Sequence, residues 1–92
     1  MRQEPIDVLL VEDNPADARL LVESLKSSTS GPFRVMHVQR LNAAVEVLAR
    51  TPTQVILLDL SLPDSTGLGT VDRLQAAAPG VPIVVLTGLQ LS

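Results

Sequence analysis

Four short apolar runs, interleaved with segments of helical periodicity, limit what this chain can fold into more than any other feature. The runs are Val8-Leu9-Leu10-Val11, Phe33 to Val38, Val55-Ile56-Leu57-Leu58 and Ile83-Val84-Val85-Leu86. Each is far too short to cross a membrane and rich enough in aliphatic residues to be a strand. Between them lie three sets of apolar residues at helical spacing. These are Ala18, Leu21, Val22 and Leu25; Leu41, Ala44, Val45, Leu48 and Ala49; and a weaker face of Leu68, Val71, Leu74 and Ala78. The order is βαβαβαβ. Nearly continuous apolar strands alternating with amphipathic helices predict a parallel sheet covered on both faces. The second run carries Arg34 and His37, so it is expected at a sheet edge.

The punctuation agrees with this division. Asn14-Pro15 reads as a helix N-cap followed by proline at the first helical position, with Asp17 in the first turn. Asn42 is the expected cap of the second helix. Loops are predicted at Ser27 to Pro32, at Thr51-Pro52-Thr53, from Ser61 through Pro63 to Gly67, and at Pro79-Gly80-Val81-Pro82.

Composition narrows the function classes. Ninety-two residues suit one small domain, and with Phe33 the only aromatic the core must be aliphatic. A net charge of −3 without a basic run argues against a nucleic-acid partner. The absence of cysteine excludes disulfides and thiolate metal sites. Met1 to Pro5 leads into no signal-peptide-like apolar region. A soluble, cytoplasmic domain with no membrane partner is expected.

Three of the runs end in polar groups that chemistry could use: Glu12-Asp13, Asp59 and Thr87. In a parallel sheet these ends share one rim, where ligands of open α/β sheets bind. If the first and third strands are neighbours, ~4.8 Å apart, Asp13 and Asp59 converge. Converging carboxylates resist ionising beside one another, and a divalent cation removes the conflict. An all-oxygen set points to Mg²⁺ or a similar hard ion. A carboxylate beside such an ion can attack phosphorus to give an aspartyl phosphate.

The stretches Val8 to Asn14, Leu57 to Gly67 and Val84 to Gly88 together resemble the receiver domains of bacterial two-component response regulators, in the right order and over about Ile6 to Gly88. The resemblance implies a flavodoxin-like three-layer α/β/α sandwich with strand order 2-1-3-4. It implies that Glu12 and Asp13 form an acidic pair, Asp13 the more direct Mg²⁺ ligand, and that the backbone carbonyl of Ser61 completes the protein's ligands. Asp59 would accept a phosphoryl group from a phosphohistidine on a sensor histidine kinase or a histidine phosphotransfer protein. Thr87 would contact a phosphoryl oxygen and report phosphorylation, and Gly67 would start the third helix. The domain would be a phosphoacceptor and not an enzyme in its own right.

The resemblance also implies that residues 1–92 are a C-terminally truncated receiver domain. Members of the family carry five strand–helix pairs; the fourth helix, fifth strand and fifth helix have no counterpart in this sequence. With them would go a lysine that contacts the phosphoryl group and an aromatic switch residue. The chain's single lysine is Lys26, on the first helix. Phosphotransfer by this chain alone is therefore expected to be impaired. The fourth strand would become an uncharged edge, which predicts a homodimer with Pro82 to Ser92 at its interface.

Plainer readings stand beside these. Glu12-Asp13 could be a solvated strand end, since acidic residues favour helix N-termini. Asp59 could be an exposed strand terminus, although a carboxylate closing an apolar run is costly without solvent or a cation. Thr87 is an ordinary β-branched strand residue by default. His37, a lone histidine on an edge strand, is not expected to ligate or to donate phosphate. Two other function classes remain: a phosphorylation-independent interaction module, and a phosphatase with a nucleophilic aspartate. The latter usually needs a second aspartate two residues on, where this chain has Ser61.

Overall fold

The computed structural model describes residues 4–27, 32–62 and 65–86. Strand β1 (Ile6–Val11) leads into helix α1 (Pro15–Lys26), followed by β2 (Phe33–Val38), α2 (Leu41–Arg50) and β3 (Val55–Leu58). Two short strands, β4 (Ser61–Leu62) and β5 (Ser65–Thr66), precede α3 (Leu68–Ala77) and β6 (Ile83–Val85). The four long strands form one parallel sheet in the order β2-β1-β3-β6. This is the expected 2-1-3-4 order, with β2 at an edge.

The sheet is held from both faces. Leu9, Val11, Ile56 and Leu58 pack with Leu41 and Ala44 of α2, Leu74 of α3 and Leu62 into one buried cluster. Strand alternation turns Val8 and Leu10 to the other face, where they are buried, as is Ala18 of α1. Among the described residues the buried hydrophobic side chains are all aliphatic.

Helix α1 starts as its sequence dictates. The Asn14 side chain accepts from the backbone N–H groups of Ala16 at 2.9 Å and Asp17 at 3.2 Å, and Pro15 takes the first helical position, where no N–H is needed. At α2 the expectation fails. The helix begins at Leu41, Arg40 occupies the cap position in an extended conformation without a side-chain cap bond, and Asn42 lies inside the first turn. Leu41 and Ala44, one turn apart, are both fully buried. Bringing Leu41 into the helix buries a whole leucine side chain, worth ~1.5–3 kcal/mol, against ~1 kcal/mol for a good cap.

Helix α3 follows Gly67, whose φ of 72° lies in the left-handed region that favours glycine. Its buried face differs from the expected one. Thr70 and Leu74 are buried and Val71 packs at the core's margin, whereas Leu68 is 76% exposed and Ala78 is the C-cap. The stretch after Asp59, expected as a loop, contains a small antiparallel pairing of Ser61 with Thr66 and Leu62 with Ser65. Its cause is Leu62, which is buried in the core cluster and draws the segment back onto the sheet. Strand β6 ends one residue early, at Val85, but the Leu86 N–H still bonds the Leu58 carbonyl at 2.7 Å.

Candidate functional site

The carboxyl ends of β1 and β3 are neighbours because those strands pair directly, Val11 opposite Leu58. The next residues are acidic. The Asp59 N–H bonds the Val11 carbonyl at 2.9 Å, so the strand that delivers Asp59 is tied to the strand that delivers Glu12 and Asp13. Carboxylate oxygens of Glu12, Asp13 and Asp59 lie within 4.8 Å of one another. Glu12 is buried, Asp59 half-buried and Asp13 exposed. The sequence expectation that these three residues converge is met.

Glu12 carries the electrostatic cost. Its carboxyl is pushed from its ordinary value of 4.5 up to about 7. Burial is the largest cause, and the Asp59 carboxyl adds to it through a hydrogen bond and its charge, with Asp13 contributing more weakly. One contact opposes the rise: the Asn14 N–H donates to Glu12 Oε1 at 3.1 Å. The residue that caps α1 thus also supplies a donor to the acidic rim.

The backbone of Glu12 is held on both sides. Its N–H donates to the Val38 carbonyl at 3.0 Å, and its carbonyl lies 2.7 Å from His37 Nε2. A carbonyl can only accept, so His37 Nε2 carries the proton. Sequence reasoning set His37 aside as unremarkable. The signal that would have found it is the register of β1 on β2, Leu10 opposite His37, which places that side chain beside a residue two positions before Glu12.

Of the other expected site residues, Ser61 belongs to β4, two positions beyond Asp59, with its backbone paired to Thr66. Thr87 lies outside the described residues. Among the described residues no helix is long and apolar enough to cross a membrane.

The sequence matches the family described as "Response regulator receiver domain" over residues 8–91. It is 34% identical to the transcriptional regulatory protein BaeR of Escherichia coli O6:H1, over 95% of this chain and 37% of that protein. It is also 34% identical to a protein-glutamate methylesterase/protein-glutamine glutaminase of Azospirillum brasilense, over 96% of this chain and 22% of that protein. The chain therefore spans well under half the length of these curated relatives. Among solved structures it resembles the receiver domain of the sensor histidine kinase PA1611 of Pseudomonas aeruginosa PAO1. The TM-score is 0.79 and the identity 32%, covering 97% of this chain and 72% of that one. That neighbour has a magnesium ion coordinated in its active-site cleft. It also resembles a phosphorylated cyanobacterial phytochrome response regulator, RcpA, with a TM-score of 0.73 and 32% identity, covering 89% and 64% of the two chains. A parallel sheet in the order 2-1-3-4, an acidic rim across its first and third strands and a match running almost end to end agree: this chain belongs to the response regulator receiver domain family.

Proposed function

We propose that the domain is a phosphoacceptor of a two-component phosphorelay. Asp59 takes a phosphoryl group from a phosphohistidine on a sensor histidine kinase or a histidine phosphotransfer protein. The observation that carries this reading is the convergence of Glu12, Asp13 and Asp59 within 4.8 Å at the carboxyl rim.

The donor set fits Mg²⁺. It is all oxygen, and the upward push on Glu12, caused first by burial and then by the neighbouring Asp59 and Asp13, is one that a shared cation would relieve. Glu12, Asp13 and Asp59 would hold the ion, with the Ser61 carbonyl as the further ligand. When bound, it supplies positive charge to the phosphoryl oxygens during transfer. An Asp59 oxygen attacks phosphorus, an O–P bond forms, and the N–P bond of the phosphohistidine breaks with its electron pair returning to the imidazole. The bond from the Asp59 N–H to Val11 keeps that side chain at the rim while this happens. Thr87 is assigned the contact to a phosphoryl oxygen.

On this reading residues 1–92 form a receiver domain, a cytoplasmic carrier of the phosphoryl group and not an enzyme in its own right. Lys26, the single lysine, sits at the far end of α1, so no lysine offers its charge at the rim. Phosphotransfer by the chain as it stands is accordingly slow. Self-association belongs to the same proposal. Among the described residues β6 pairs on one side only, through β3, and Val84 and Val85 are exposed on it. An interaction module without phosphotransfer would have no use for three carboxylates held at an energetic cost, which weighs against that alternative.

Intact-mass analysis after incubation with a small phosphodonor tests the reading. A slow, Mg²⁺-dependent phosphoryl adduct is expected, absent from Asp59→Asn. An adduct that persists in Asp59→Asn, or that forms equally without Mg²⁺, would refute it.

A further inference from the structure

We infer that His37 is a positioning residue for the acidic rim, setting the direction in which Asp13 presents its carboxylate. The inference rests on the reading of that rim as a cation site. Strand β2 ends at Val38, whose carbonyl accepts the Glu12 N–H at 3.0 Å. In a parallel ladder the Glu12 carbonyl would next accept a backbone N–H two residues further along β2. There the chain has already turned toward α2, and Arg40 stands at the cap position of that helix. The His37 side chain takes over the missing role, with Nε2 donating to the Glu12 carbonyl at 2.7 Å. Nε2 carries a proton in both the neutral tautomer required here and the imidazolium, so the bond does not depend on the charge of the ring.

The consequence lies one residue on. The Glu12 carbonyl belongs to the same planar peptide unit as the Asp13 nitrogen. Fixing that carbonyl fixes the plane and with it the position of the Asp13 Cα, which narrows the directions open to its side chain. Glu12 and Asp59 are restrained by burial and by ladder bonds; Asp13 is exposed on a chain leaving its strand. Mutual repulsion among the three carboxylates drives Asp13 outward. The His37 bond opposes that drift before any cation arrives, the service that outer partners of a metal site commonly perform.

Three variants separate positioning from mere support of the fold. His37→Phe keeps a flat ring and loses the donor. His37→Gln keeps an N–H donor at comparable reach. His37→Asn keeps the amide but falls short. Mg²⁺ affinity is measured for each by NMR titration at one pH, together with the Glu12 carbonyl ¹³C shift in metal-free protein. His37→Phe and His37→Asn should weaken Mg²⁺ binding about tenfold and move the Glu12 shift. His37→Gln should bind within about threefold of wild type, a rescue that loss of packing would not show. If His37→Phe fails to fold, the contrast between Gln and Asn carries the test alone. Equal affinity in all variants, or equal weakening by Gln and Asn, would overturn the role of His37 and leave the cation site standing. No Mg²⁺ binding by wild type would overturn the cation site instead.

Discussion

Replacing Glu12 by glutamine removes one of three crowded charges while keeping the shape of the side chain and its acceptor for the Asn14 N–H. In the unfolded chain Glu12 titrates near 4.5, whereas in the folded, metal-free protein it is pushed up to about 7. The folded state therefore binds the proton more tightly. Its stability is fully present below 4.5 and is lost as the pH rises toward about 7. That gap corresponds to roughly 3 kcal/mol at about 1.4 kcal/mol per pH unit. Asp13 is exposed and water reaches the rim, so screening reduces the expected cost to about 1–2 kcal/mol. Near pH 4 wild type and Glu12→Gln should have nearly equal stability. At pH 8 in chelator, Glu12→Gln should be more stable by about 1–2 kcal/mol. Urea unfolding at both pH values measures this directly. Mg²⁺ should then narrow the difference, because a ligand of the folded state adds ~1.4 kcal/mol at ten times its Kd and the glutamine site binds it less well. A difference between the two proteins that is the same at pH 4 and pH 8, or a Glu12→Gln protein less stable at pH 8, would refute the argument that burial and the neighbouring carboxylates strain the charged form of Glu12.

Asn14→Ala should cost about 1 kcal/mol in chelator through loss of the cap on Ala16 and Asp17, seen as a lower urea midpoint with an unchanged slope. Leu74→Ala, at a fully buried position where α3 meets the core, should cost about 2–5 kcal/mol in the same assay. Sedimentation at several concentrations should show a dimer that Val84→Lys weakens, Val84 being 46% exposed on β6. A wild-type monomer persisting at high concentration would remove the self-association proposal.

The local level of this protein was legible in its sequence. Four aliphatic runs and three helical faces specify the elements, and Asn14-Pro15 and Gly67 mark two helix starts, because caps and left-handed turns depend on a few adjacent residues. The identity of the acidic residues was legible too, since each closes an apolar run and a parallel sheet puts such ends on one rim. What the sequence could not decide depends on which strands and helices touch. Leu41 outweighed Asn42 as the start of α2 because its burial, a tertiary quantity, exceeds the value of a cap. The buried face of α3 moved from Leu68 to Thr70, and Leu62 drew a turn-rich segment into a short hairpin, for the same reason. His37 gained its place from the register of β2 on β1 and from the residue at which β2 stops. A histidine at that position looks ordinary until the neighbouring strand brings a carbonyl within 2.7 Å of its ring.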